Sequence, residues 1–157
     1  GLCWAMYGFG TAYWLTNTYP YLQTARMCAD YYLEHTPFNF NAPGGPGIPP
    51  NDFNDPREPV LYDSSAAAIA ASGLINLSRL VEDPVHGARY LQAALNILNT
   101  LTGPEYLADH APEWEGILKH GVYHRERGVG VDESVIWGEY FFLEALDKAL
   151  KVIERER

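Results

Sequence analysis

Cysteine is scarce in this chain. Cys3 and Cys28 are the only two in 157 residues, and they lie in separate helical patterns rather than as a Cys-x-x-Cys pair. Free apolar thiols in a reducing, cytoplasmic setting are therefore expected. Cationic side chains are few as well: 11 Lys and Arg stand against 20 Asp and Glu, a formal net charge of −9. No Lys/Arg run interleaved with aromatics offsets that field, which argues against nucleic acid and an anionic membrane surface as partners. No apolar run reaches the ~20 residues that cross a bilayer as a helix. The five histidines lack helical His-x-x-x-His or Glu-x-x-His spacing, and Gly121 interrupts His120 and His124, so neither a metal nor a cofactor is expected. A Gly-x-Ser-x-Gly elbow and a glycine loop leading to Lys are also missing, which disfavours a nucleophilic serine and a nucleotide site. There is no initial Met. The chain begins at Gly1 inside an apolar-periodic stretch and reads as a piece of a longer protein.

What is present is a core-forming composition, 47% hydrophobic and 20% charged, at the length of one domain. Three apolar segments, near residues 4–15, 68–77 and 134–143, each carry an internal glycine; Gly8, Gly73 and Gly138 recur every 65 residues. Glycine inside a helix costs ~0.5–1 kcal/mol relative to Ala, so their recurrence predicts equivalent places where backbones approach closely. Two amphipathic segments alternate with these. One spans about 20–35 with Leu22, Ala25, Ala29 and Tyr32 on one face; the other spans about 84–101 with Ala88, Leu91, Leu95 and Leu98. The order is inner, outer, inner, outer, and a last inner helix over about 132–153. An inner–outer helix pair repeated in this way is the unit of an α/α toroid.

Residues 37–62 are too rich in proline and glycine for a helix, and a loop of that length often serves a site. Residues 116–130 have the chemistry of a short hairpin or ordered loop. Asp63 before Ser64-Ser65 and Asp132 before Glu133-Ser134 each precede an inner helix, where N-capping alone accounts for an aspartate. Trp4, Tyr62, Tyr123 and Trp137 fall at or just before the starts of inner helices. In a toroid those ends open into a common cavity, where aromatic faces stack on sugar rings.

The segment Gly1-Leu2-Cys3-Trp4-Ala5-Met6-Tyr7-Gly8 resembles the tail of the Arg-Gly-Gln-Ala-Trp-x-x-Tyr-Gly motif of unsaturated glucuronyl hydrolases, glycoside hydrolase family 88. The likeness continues in Ile48-Pro49-Pro50-Asn51-Asp52-Phe53, Asp63-Ser64-Ser65-Ala66-Ala67-Ala68, His120-Gly121-Val122-Tyr123 and Gly130-Val131-Asp132-Glu133-Ser134-Val135-Ile136-Trp137-Gly138. It covers essentially the whole chain, and related unsaturated rhamnogalacturonyl hydrolases share parts of it. The resemblance implies an all-α (α/α)6 barrel, with residues 1–157 as the C-terminal part of a single catalytic domain supplying about five of its helices. It also implies vinyl-ether hydration of a 4,5-unsaturated uronyl oligosaccharide. In the family both functional aspartates precede the Trp motif, so no catalytic residue is expected within this chain, and Leu2 stands where the family has Gln.

The same resemblance implies that Trp4 lines the sugar pocket and that Tyr123 lies in a loop reaching it. In relatives that prefer sulfated disaccharides this loop carries serines and a lysine; His124, Arg127 and Val129 stand there in this chain, with Arg127 able to supply part of the lysine's charge. The substrate-binding candidates are thus Trp4, Tyr123, His124 and Arg127. The competing expectation is a non-catalytic α/α module that assembles with a partner chain. A partial barrel leaves Phe9, Trp14, Phe141 and Phe142 without neighbours, so self-association or pairing with the missing N-terminal part is expected either way.

Overall fold

Asp63 opens the most deeply buried helix of the protein. In the computed structural model, which describes residues 1–155, its carboxylate accepts from the Ser65 N–H at 3.0 Å and satisfies a donor that helix geometry leaves free. The helix that follows, Ser64–Leu80, is rich in alanine, the best helix former, and its small side chains let other helices pack on several sides. Only Ala66, Asn76, Ser78, Arg79 and Leu80 in it escape full burial.

We number the helices in chain order: α1 (Leu2–Thr16), α2 (Tyr19–His35), α3 (Ser64–Leu80), α4 (Pro84–Leu101) and α5 (Ile136–Arg155). α3 packs against α1 and α5 on its two flanks and against α4 behind, while α2 backs α1. The inner helices are therefore α1, α3 and α5 and the outer ones α2 and α4, as the alternation predicts. α2 buries the expected face of Leu22, Ala25, Ala29 and Tyr32. On α4 the buried face is instead Gly87, Tyr90, Ala93, Ala94, Ile97, Leu98 and Leu101; Ala88 is exposed, and Leu91 and Leu95 are half-buried. Two contacts set that rotation. Gly87 lies against the Ser78 carbonyl, only 2.8 Å from where a Cβ would sit, and the Tyr90 hydroxyl donates to Asp30 of α2 at 2.9 Å.

The glycine expectation holds in part. At Gly138 an added Cβ would lie 3.0 Å from Ser65 Cβ, and at Gly73 3.4 Å from the Tyr7 backbone, so these two mark close helix approaches. Gly8 has open space around it, and the three are not equivalent: Gly8 is the seventh residue of α1, Gly73 the tenth of α3 and Gly138 the third of α5. The 65-residue spacing marks small residues on inner helices but no common register, because the segments joining the helices differ in length.

Residues 116–135 hold a hairpin of β1 (Gly121–His124) and β2 (Val129–Glu133), antiparallel, with Val122 opposite Val131 and His124 opposite Val129. The strands are joined by a 3₁₀ turn, Arg125–Arg127, that closes on Gly128 at φ 60°. The hairpin corrects the last inner helix, which begins at Ile136 rather than near residue 132. Asp132 does not cap it. Held at φ 59° within β2, Asp132 faces His120, itself at φ 63°, with 2.5 Å between its Oδ1 and the His120 Nδ1.

The loop 37–62 has no helix, as expected, yet it is firmly attached to the outer layer. Tyr32 and Thr100 hydroxyls donate to the carbonyls of Gly47 and Pro46, each at 2.7 Å, and the Tyr106 hydroxyl donates to that of Gly44. These bonds bury Ile48 and Pro49 and deliver residues 50–54 to the N-terminal ends of α1 and α3. Tyr62 packs over Gly44 as part of this attachment. Phe141 and Phe142 are buried, contrary to the expectation of open faces, because α5 turns them toward α1 and α3; Phe141 receives edge contacts from Trp4, Tyr7 and Tyr140. Phe9 and Trp14 are exposed as expected.

The contrast between glycines is measurable. Gly8→Ala should raise stability by about 0.5–1 kcal/mol through helix propensity, whereas Gly138→Ala should lower it by about 1–3 kcal/mol through overpacking on Ser65. Thermal melts of the two variants check this, and equal shifts would contradict the packing at Gly138.

Candidate functional site

A cavity of about 620 Å³ opens where the N-terminal ends of α1 and α3 meet the start of α5, the loop and the hairpin. Trp4, Tyr123 and Trp137 line it from the helix and hairpin side, with Tyr31 and Phe53 from α2 and the loop. Trp4 is half-exposed and edge-on to Phe141, with ring centroids 5.2 Å apart. Tyr123 stands edge-on to Trp137, also at 5.2 Å. Tyr31 and Phe53 meet at 5.6 Å, nearly perpendicular. Aromatic edges and faces so arranged suit a ligand with alternating apolar and polar faces.

The polar groups of the cavity converge on Asp63. Its Oδ1 accepts from the Ser65 N–H, from the Ser65 hydroxyl at 2.7 Å and from the Val122 N–H at 3.2 Å. The Trp137 indole donates in turn to the Ser65 hydroxyl at 3.2 Å. Burial pushes the Asp63 carboxyl above its ordinary value, although each of those hydrogen bonds pulls the other way. Cys3 also lines the cavity, but burial, with the Asp63 charge adding to it, pushes its thiol up to about 12. A thiol held protonated in this way is not a nucleophile. Asn51, Asp52 and Asn54 complete the polar lining, and among the described lining residues none is Lys, Arg or His. The site can hydrogen-bond hydroxyls and stack rings.

Of the four candidates from sequence, the structure brings Trp4 and Tyr123 together on this cavity, while His124 and Arg127 lie beyond its lining. The hairpin tip is anchored by a neighbouring residue. Arg125 donates to Asp55 at 3.0 Å and to the Pro59 carbonyl at 3.1 Å, and Arg57 joins Asp55 at 2.6 Å and Glu126 at 2.7 Å, clasping the tip to the loop. Arg57, hydrogen-bonded to Asp55, holds that carboxyl well below the usual range. From sequence Asp63 reads first as a helix cap and Ser65 only as part of the Asp63-Ser64-Ser65 segment of the family likeness, while Tyr31 and the Asp55 cluster are not singled out. Their shared position depends on long-range packing that no local spacing encodes.

A second cavity, about 530 Å³, lies farther along the inner helices between Tyr7, Thr11, Trp14, Asn76, Arg79 and Lys148. At its wall Glu144 accepts from the hydroxyls of Tyr7 at 3.1 Å and Ser72, and from Lys148 at 2.8 Å, joining α1, α3 and α5. Burial pushes the Glu144 carboxyl up, but hydrogen bonds from Lys148 and Ser72 and the Lys148 charge outweigh it and leave the group lowered.

No family model matches the chain. In sequence it is similar to an unsaturated glucuronyl hydrolase of Formosa agariphila, 35% identical over 154 residues, which is 98% of this chain and 36% of that protein. In structure it is similar to an unsaturated glucuronyl hydrolase specific for heparin, with a TM-score of 0.86 at 31% identity over 98% of this chain and 40% of that one. The fit is to the C-terminal portion of unsaturated glucuronyl hydrolases. A mutant of the Streptococcus agalactiae unsaturated glucuronyl hydrolase complexed with dGlcA-GalNAc6S is similar as well, with a TM-score of 0.80 at 27% identity over 94% of this chain and 38% of that one. The five helices follow the (α/α)6 barrel of these neighbours. The chain spans a little over a third of the length of the curated relatives it matches.

A lowered carboxyl contributes stability that is present above its ordinary value of 4.5 and lost as pH falls through its own lower value. Glu144→Gln should therefore cost roughly 1–3 kcal/mol near neutral pH, the scale of hydrogen bonds to a charged group. The gap to the wild type should narrow on acidification below 4.5. Chemical denaturation across that range checks it; a gap independent of pH would contradict the ionised network. Asp63 acts in the opposite sense. Its raised carboxyl favours the fold most below its ordinary value of 3.8, and that contribution fades as pH rises.

Proposed function

We propose that this chain forms the sugar-binding wall of a glycoside hydrolase acting on 4,5-unsaturated uronyl oligosaccharides. The observation that carries the reading is the convergence of Trp4, Tyr123 and Trp137 with the Asp63 and Ser65 oxygens on one cavity at the inner-helix ends. The likeness to unsaturated glucuronyl hydrolases over 98% of the chain supports it. One of the similar structures is specific for heparin and another is complexed with dGlcA-GalNAc6S, both uronyl-containing saccharides. A cytoplasmic setting accords with two free thiols.

The reaction is hydration of a vinyl ether. A carboxylic acid delivers a proton to C4 while the ring oxygen stabilises positive charge at C5; water adds at C5 and loses a proton to a base. The resulting hemiketal opens, the glycosidic bond breaks, and the next sugar leaves with its hydroxyl restored. Within this proposal the proton-transferring carboxylates belong to residues outside the chain. The chain's own part is to stack the sugar on Trp4 and Tyr123 and to hold its hydroxyls.

Tryptophan emission tests the binding role. Titration with an unsaturated uronyl disaccharide should change the emission saturably, while the absorbance of the conjugated double bond stays constant. Trp4→Ala should weaken binding about tenfold, from a stacking face worth ~1–3 kcal/mol by analogy with base stacking. Because Trp4 is half-exposed, the loss of fold stability should stay below the ~3–5 kcal/mol of a core tryptophan. The absence of any emission change would remove the cavity from the sugar site. Turnover by the chain alone would move the chemistry onto a carboxylate present here.

We further propose that the chain associates, with the rest of a barrel or with a second copy. Trp14 and Leu15 on α1 and Ile136, Tyr140 and Leu143 on α5 are all more than half exposed, an apolar flank at each side of the helix array. Light scattering should show a species heavier than one chain, and a stable monomer that binds no hydrophobic dye would overturn this.

A further inference from the structure

The strand that carries Tyr123 has few attachments of its own. β1 is four residues long and among the described residues pairs only with β2, and a two-stranded hairpin in isolation is marginally stable at best. Two bonds at its root connect it to an inner helix. The His120 carbonyl accepts from the Ser64 N–H at 3.1 Å, and the Val122 N–H donates to Asp63 Oδ1. The same oxygen receives the Ser65 hydroxyl, which accepts from the Trp137 indole at the start of α5. A carboxylate only 6% exposed thus links α3, β1 and α5 at one point, and its neighbours Tyr123 and Trp137 form an edge-on pair on the cavity wall.

Capping requires far less than this. Asp83 caps α4 by accepting from the Val85 N–H at 2.9 Å, meets the His86 ring of the same first turn at 2.5 Å, joins no second element and remains exposed. Three donors on one buried oxygen, drawn from two elements, exceed what a helix start demands, and burying a carboxylate is costly unless it is fully bonded. The cost falls at the place where two cavity aromatics need fixed orientations.

We propose that Asp63 is a positioning residue for the sugar site: by holding the Val122 N–H and, through Ser65, the Trp137 indole, it fixes the Tyr123–Trp137 pair against which the ligand docks. The inference rests on the reading of the cavity as a sugar site. It assigns Asp63 no contact with the reacting atoms. Hydrogen-bonding capacity at Oδ1 is the property that matters, so Asn, which keeps an acceptor there, should substitute better than Ala.

The test compares Asp63→Asn, Asp63→Ala and Ser65→Ala with the wild-type chain by amide hydrogen exchange, tryptophan emission and titration with an unsaturated uronyl disaccharide. In Asp63→Ala the Val122 amide should lose protection while the amides of Leu74 to Leu77 in α3 keep theirs, and affinity should fall about tenfold, the equivalent of a lost hydrogen bond to a charged group. Asp63→Asn should retain Val122 protection and stay within about threefold of wild-type affinity. If Asp63→Ala does not fold, Ser65→Ala decides the matter: it should shift Trp137 emission and weaken binding with the helices intact. Unchanged Val122 protection and affinity in Asp63→Ala, or unchanged emission and binding in Ser65→Ala, would overturn the proposal. A wild-type chain that binds no disaccharide sinks the reading of the cavity instead, while exchange at Val122 and Trp137 emission still decide whether Asp63 holds the two elements.

Discussion

Three helices can share one neighbour only if that neighbour has almost no side chains to interpose. α3 meets this condition with Ala67, Ala68, Ala70, Ala71, Ser72 and Gly73, all buried, and the approach is close enough that Gly73 lies against the α1 backbone. Dispersion and hydrophobic burial across these contacts then stabilise α1, α3 and α5 together. The ends of those helices fall side by side as a result. A cavity at the shared end follows from the packing, and so does the meeting of Trp4, Ser65 and Trp137 on its wall.

Sequence reasoning recovered what short-range spacing encodes. The inner–outer alternation, the extents of α2 and α4, the unstructured loop and the hairpin could all be read from periodicity, proline and glycine. It went astray where two signals overlapped. On α4 both Leu91/Leu95 and Tyr90/Ala94 make helical stripes, and the choice between them depends on Gly87 meeting a carbonyl of another helix. Asp132 looked like Asp63 because each precedes two polar residues and a helix, yet strand pairing of Gly121 with Glu133 takes the following residue into the hairpin. The cavity was legible as a pattern of aromatics near helix starts. Its hub was not, since the bond from Val122 to Asp63 joins residues far apart in the chain.

The polar clusters of the molecule divide by element. Glu144, Lys148, Ser72 and Tyr7 cross-link the inner helices midway along their length, and Asp63 and Ser65 do so at the cavity end. Asp55, Arg57, Arg125 and Glu126 connect the loop to the hairpin tip. Each set satisfies buried or half-buried donors that would otherwise be costly, and the Asp63 and Asp55 sets fix parts of the geometry around the aromatic wall.

The hairpin is therefore fastened by two kinds of joint. At its root the fastening is a buried carboxylate that water and ions scarcely reach. At its tip the Arg57–Glu126 pair stands in solvent, where a Debye length of about 8 Å at physiological ionic strength weakens it and higher salt weakens it further. Tyr123 lies between the two, and when salt weakens the outer pair the tip is still held by Arg125 and Asp55, whose side chains are only 16% and 8% exposed and are screened far less.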